Sequence, residues 1–223
     1  MKDKNKIKIA GSLSINDWEE LSSKLDRTSN ELWSLAFNFF EQRITTRYLN
    51  PINQILGMDL NTGEGFAVVN LQCSLIETIE SFHEGWIFKY KNNKVPKFRY
   101  YKQKENESNF KKEVNGKYIF NHFFKTHPPF AGLNIDESFY SDVRCALLHE
   151  TQTKNDWIIR DRHYDRFYEA NGNEKIIYRT NFQTAIEKVI EVYKKNIIEG
   201  AGNDSEERRG NFKAKFDHIC EVS

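Results

Sequence analysis

The chain is short of proline (4), cysteine (3) and net charge, with 33 Lys and Arg against 32 Asp and Glu over 223 residues. Each shortage excludes a class of protein. Cys73, Cys145 and Cys220 are odd in number and far apart, which fits neither a disulfide framework nor a zinc site built from paired cysteines. The formal net charge of +1 is not the footprint of a strongly basic nucleic-acid-binding domain, so any such binding must come from local patches. No apolar run approaches the roughly 20 residues that span a bilayer. The charged start, Met1-Lys2-Asp3-Lys4, is not followed by a signal-peptide core, and a cytoplasmic protein without membrane contact is expected.

Catalytic motifs of the common kinds are also missing. Gly63-Glu64-Gly65 lacks the remaining glycines and the preceding strand of a dinucleotide fingerprint, and there is no phosphate-binding glycine loop or serine elbow. His83, His122, His127 and His218 show no metal-ligand spacing with carboxylates or cysteines. No metal and no cofactor are expected.

What the chain does have is aromatic bulk, 17 Phe and 10 Tyr, enough to fill a sizeable core. Apolar residues at three- and four-residue spacing mark helices from Ser14 to Asn50, with Pro51 expected to end the stretch. Residues 66–82 are apolar around much of a helical circumference and suggest a central helix that Gly85 stops. Tyr118 to Lys125 reads as a short helix, and Asp136 as an N-cap for Glu137 to Glu150. Residues 157–159, 166–168 and 176–178 look like short strands, with a hairpin turn at Asn171-Gly172. An amphipathic helix from Asn181 to Gly200 and a charged tail helix follow. The fold expected is mainly α, a single helical-bundle domain over 1–223. It carries a basic loop insertion at 86–108, a β-hairpin or three-stranded insertion at 155–179 and a tail helix at 204–223.

Between Trp86 and Lys104 the chain carries seven Lys and Arg with no acidic residue, interleaved with aromatics. Lys97, Arg99, Tyr100 and Lys102 are candidates for phosphate contact and base stacking, with a solvated hairpin as the alternative. Arg160-Asp161-Arg162-His163 offers a second cationic group beside the hairpin, although alternating charge on a short strand is more often its wet face.

The chemistry-bearing segment is Phe139-Tyr140-Ser141-Asp142-Val143-Arg144-Cys145-Ala146-Leu147-Leu148-His149-Glu150. Arg144 and His149 lie about 140° apart around a helix, yet a long Arg side chain can reach a point that His149 also reaches. A guanidinium that stabilises phosphate charge and an imidazole that transfers protons at neutral pH suit RNA cleavage. Glu77 and Glu80 on the central helix are candidate partners for Arg144 or for Arg groups elsewhere, although a polar stripe on an otherwise apolar helix is the more frequent origin of such a pair. The ordinary alternative is that Arg144 serves an ion pair and His149 a helix C-terminus.

This segment resembles the HEPN domains, helical bundles that share an Arg, four to six residues, then a His. The resemblance implies a metal-independent endoribonuclease of the defence or toxin–antitoxin kind, acting as a homodimer whose Arg–His helices face each other across a shared cleft. By that resemblance Arg144 polarises the scissile phosphate and His149 moves the proton or helps hold the phosphate. Lys97, Arg99, Tyr100, Lys102, Lys154 and Arg160 would hold substrate, and RNA, a second copy, and an antitoxin or defence-complex protein would be partners. A non-catalytic RNA-binding, protein-binding or dimerisation module of the same fold is the alternative. Cys145 stands where active members often carry Asn, Asp or His.

Overall fold

The computed structural model describes residues 3–26, 28–58, 63–91, 97–102 and 112–221, with side chains 89–91, 97–102 and 112 outside that description. It is mainly helical with small sheets, as the apolar spacing predicts. In chain order the elements are β1 (Lys8–Ala10), β2 (Leu13–Ser14), α1 (Ile15–Ser22), α2 (Asn30–Ile44), α3 (Asn50–Met58), α4 (Glu64–Glu84), β3 (Ile87–Lys91), β4 (Lys97–Lys102) and β5 (Lys112–Val114). There follow α5 (Gly116–Thr126), α6 (Ala146–Glu150), β6 (Trp157–Arg160), β7 (Tyr168–Asn171), β8 (Glu174–Tyr178), α7 (Arg179–Ile198) and α8 (Asn203–Cys220). Among the described residues, no helix is long and apolar enough to cross a membrane.

The chain forms two compact units: Met1–Asn50 with Ile79–Val114 and Glu191–Ser223, and Pro51–Thr78 with Asn115–Ile190. In the first unit, α1 opens with a capping box in which Ser14 and Asp17 satisfy each other's backbone groups. The core is a cluster of rings: Trp18 packs edge-on against Phe39 at 5.3 Å and beside Phe216 at 4.5 Å, and Phe40 meets Phe82 at 4.9 Å. Trp18 keeps its indole N–H satisfied by donating to Asp217 at 2.8 Å, as a buried Trp must. Buried Arg209 donates to the carbonyls of Ile197 and Ile198 at the end of α7, supplying partners for carbonyls that a helix end leaves open.

Gly85 stops α4 in a left-handed conformation at φ +70°, as the sequence suggested. Pro51 does not end the preceding helix. The winding loosens into a π-helical turn at Thr45–Leu49 and continues as α3, with Pro51, which cannot donate, directly after that looser turn. The stretch expected as a basic loop is instead a β3–β4 hairpin extended by β5, with Lys89 opposite Arg99 and Lys91 opposite Lys97 in register.

The second unit packs Phe120, Phe123, Phe124, Phe130, Phe139 and Phe182, all buried, around the amino-terminal part of α7. The hairpin at Asn171-Gly172 forms, joining β7 to β8 in antiparallel register. The third strand differs from a simple meander because β6 pairs parallel to β8, in the order β6-β8-β7. The 161–167 connection makes this parallel pairing reachable.

Candidate functional site

The Arg144–His149 segment lies in the second unit and is not one regular helix. Asp136 accepts the Ser138 N–H at 2.7 Å, but it is not the N-cap the sequence suggested: the winding starts after Ser138 without a side-chain cap, and Phe139–Cys145 forms a π-helix before α6 resumes α-geometry. π-winding aligns residues five apart, and Tyr140 accordingly lies beside Cys145. The Tyr140 ring lies over Gly116, where a Cβ would stand 2.5 Å from its hydroxyl oxygen. Burial, with Cys145 adding to it, pushes the Tyr140 phenol up to about 12.

From this winding Arg144 turns onto α4. Its Nε donates to Glu77 Oε1 at 2.7 Å, with a quarter of the Arg144 side chain exposed. Burial works against the guanidinium's charge, and the Glu77 hydrogen bond and charge outweigh it, so Arg144 stays firmly protonated. Among the described residues its Nη1 and Nη2 form no hydrogen bond. Cys73, buried on α4 one turn before Glu77, is held as a thiol by burial and then by the Glu77 charge.

His149 is exposed in the last turn of α6, which Thr151 closes in a left-handed conformation at φ 59°. The pair is thus divided within one chain: Arg144 is partly enclosed against α4, and His149 faces solvent. The loop after His149 is held firmly. Lys154 N–H donates to the Asp142 carbonyl at 2.9 Å, and the Asp142 carboxylate accepts from Asn155 Nδ2 at 3.0 Å and Ser141 Oγ at 2.8 Å. Burial opposes the Asp142 charge, but these donors win and hold its carboxyl below the usual range.

Lys154 is exposed and pairs with Glu150 at 2.8 Å. Arg160 is exposed at the end of β6. Lys97, Arg99, Tyr100 and Lys102 lie along β4, and their side chains lie outside the described residues. Cys145 is only partly buried.

Sequence reading passed over a second polar group in this unit. Arg179 pairs with Glu64 at 2.7 Å and Asp161 at 3.4 Å, while Gln72 donates to the Arg179 carbonyl at 2.8 Å. A Cβ on Gly65 would stand 3.1 Å from Arg179 Nη1, so Gly63-Glu64-Gly65 serves close packing at the start of α4. The sequence signal for this group was a glycine beside an acid at a helix start.

Compared with protein-family models, curated proteins and solved structures, the chain matches none.

Proposed function

We propose that the protein is a HEPN-type, metal-independent endoribonuclease in which Arg144 holds the scissile phosphate and His149 transfers the proton. The observation that carries this reading is the state of Arg144. Glu77 takes its Nε, while the outer Nη1 and Nη2 edge has no hydrogen bond among the described residues. That edge presents two parallel donors, the geometry that grips a phosphate in bidentate fashion.

In the proposed reaction the RNA 2′-oxygen attacks phosphorus and its proton passes to a base. The bond to the 5′-oxygen breaks as that oxygen gains a proton. The products are a 2′,3′-cyclic phosphate and a 5′-hydroxyl. Arg144 stabilises the charge on the non-bridging oxygens. The exposed imidazole of His149 carries one of the two proton transfers. Because one chain turns Arg144 and His149 to different surroundings, the proposal places the working site in a homodimer.

The test incubates wild type, Arg144→Ala and His149→Ala with single-stranded RNA in EDTA, with end-group analysis of the products. Cuts leaving cyclic phosphate ends, lost in both variants, are the expected result. No cleavage by folded wild type, or equal cleavage by Arg144→Ala, overturns it. The Arg144–Glu77 pair also suits a second reading, a non-catalytic module of the same fold that holds RNA or a partner protein. RNA retention without cleavage would select it.

A further inference from the structure

The connection between β6 and β7 is exposed at its tip and tied down at its base. Thr180 N–H donates to the Asp161 carbonyl at 3.0 Å, and Thr180 Oγ1 donates to the Asp161 carboxylate at 3.0 Å. Asn181 grips the next turn twice, accepting His163 N–H at 3.0 Å and donating to the His163 carbonyl at 2.9 Å. At the far end Tyr178 N–H donates to the Phe167 carbonyl at 3.0 Å, and the Phe167 ring packs edge-on against buried Phe130 at 4.9 Å. The start of α7 thus anchors the 161–163 end of the loop, and Tyr178 at the end of β8 anchors the 167 end.

On this base stands a short ladder of rings. His163 lies 4.8 Å from Tyr178 and 4.4 Å from Tyr164 by ring centroids. Tyr164, the outermost ring, is 87% exposed. A large ring presented almost entirely to water by a pinned loop loses little conformational freedom on binding.

Its acidic neighbours are engaged, and two of its basic neighbours are not. Asp161 is engaged by Arg179 at 3.4 Å, and Asp165 lies 2.8 Å from His163 Nδ1 and 3.4 Å from Arg166. Arg166 is further tied to Glu169 at 3.7 Å. Arg160 and Arg162 are exposed and form no ion pair among the described residues. Two guanidinium groups without an ion pair among the described residues therefore lie within four residues of the exposed Tyr164 ring along the chain.

We infer that the 161–167 loop is a single-strand RNA grip in which an unpaired base stacks on Tyr164 while Arg160 and Arg162 contact the adjoining phosphates. The inference rests on the ribonuclease reading for its ligand class and goes beyond it in naming a surface apart from Arg144 and His149. Stacking explains the exposed ring, which a patch built only to attract an acidic peptide does not require. A paired base has no open face to offer Tyr164, so single strands are preferred over duplex.

The test uses the full chain carrying His149→Ala, which keeps RNA intact, and a fluorescently labelled 20-nucleotide single strand read by anisotropy over a salt series. Adding Tyr164→Ala is expected to weaken binding roughly 5- to 100-fold, the range for removing one stacking partner. Adding Arg160→Glu with Arg162→Glu is expected to weaken binding and to lower the salt-dependence slope by about 0.7 for each phosphate that is no longer neutralised. Unchanged affinity and slope in both variants overturn the inference, as does equal binding of duplex RNA or no binding of single strands. Circular dichroism confirms that these surface variants fold. If wild type cuts RNA but the loop variants bind as before, the grip fails and the nuclease reading stands. If binding depends on the loop but wild type never cuts, the nuclease reading fails and the grip stands.

Discussion

Arg144 donates through Nε to Glu77 Oε1 at 2.7 Å, so α4 orients the guanidinium and leaves its outer edge for a second partner. Glu77→Ala removes that hold from a partly enclosed cation. The variant is expected to lose about 1–2 kcal/mol in denaturant unfolding, the usual scale for a charge-assisted hydrogen bond screened by partial exposure. RNA cleavage should fall on the order of 10- to 100-fold because the guanidinium is no longer positioned. Combining Glu77→Ala with Arg144→Ala should cost less stability than the sum of the two single changes. Simple additivity would show that the pair does not interact in solution.

His149 offers the opposite combination. It is exposed in the last turn of α6, so His149→Ala should change stability by no more than about 0.5 kcal/mol. Cleavage should nevertheless drop by about 100-fold or more, the usual contribution of a general acid or base. A stable variant with full activity would remove His149 from the mechanism. Arg144→Lys completes the comparison: it keeps the charge but not the planar fork, and should recover only a small part of the activity.

These two residues also mark how far the sequence could be read. The periodicity of apolar residues located the helices, because burial on one face repeats every 3.6 residues whatever the tertiary context. Gly85 and Asn171-Gly172 located a stop and a turn, because both need backbone conformations that few residues accept. The π-helical winding at Phe139–Cys145 left no such mark, since its hydrogen-bond pattern shifts by one residue without any change in composition. That shift aligns Tyr140 with Cys145 and turns Arg144 toward Glu77. The carboxylate was visible as a candidate partner, but α4 offered both Glu77 and Glu80. The parallel pairing of β6 with β8 was hidden for a related reason: two short apolar strands read the same in either direction.

Gly116 tests the packing behind the site. A Cβ there would stand 2.5 Å from both Cε2 and Oη of Tyr140, so Gly116→Ala must displace the ring that contacts Cys145 inside the π-helical turn. A loss of about 1 kcal/mol is expected, the low end of the scale for overpacking, because Gly116 and Tyr140 are only part-buried. A small reduction in cleavage should accompany it, because Arg144 leaves the same turn. Gly57→Ala is the control, since a Cβ at Gly57 meets nothing within 4 Å, and helix propensity alone should make that change neutral or stabilising. Equal stability of the two variants would show that the Tyr140 ring can move aside freely.

The first unit supplies a titration with a definite sign. Lys215 Nζ donates to the Trp86 carbonyl at 2.7 Å, and burial, reinforced by the Arg43 charge, pulls its ammonium down to about 8. In the unfolded chain a lysine titrates near 10.4. Between those two values the unfolded state binds more protons than the folded state, so stability contributed by this group rises with pH across that window. Below about pH 8 both states are charged and the burial cost is fully expressed. Lys215→Met keeps most of the apolar stem and removes the titrating group. The difference in unfolding free energy between wild type and variant should therefore shift toward wild type by on the order of 2 kcal/mol as pH rises from 8 toward 10.4. Taking that difference at each pH cancels groups common to both proteins, including Tyr193, whose buried phenol is raised well above its ordinary value. A difference that does not change with pH would mean that the Lys215 ammonium is solvated in the folded protein.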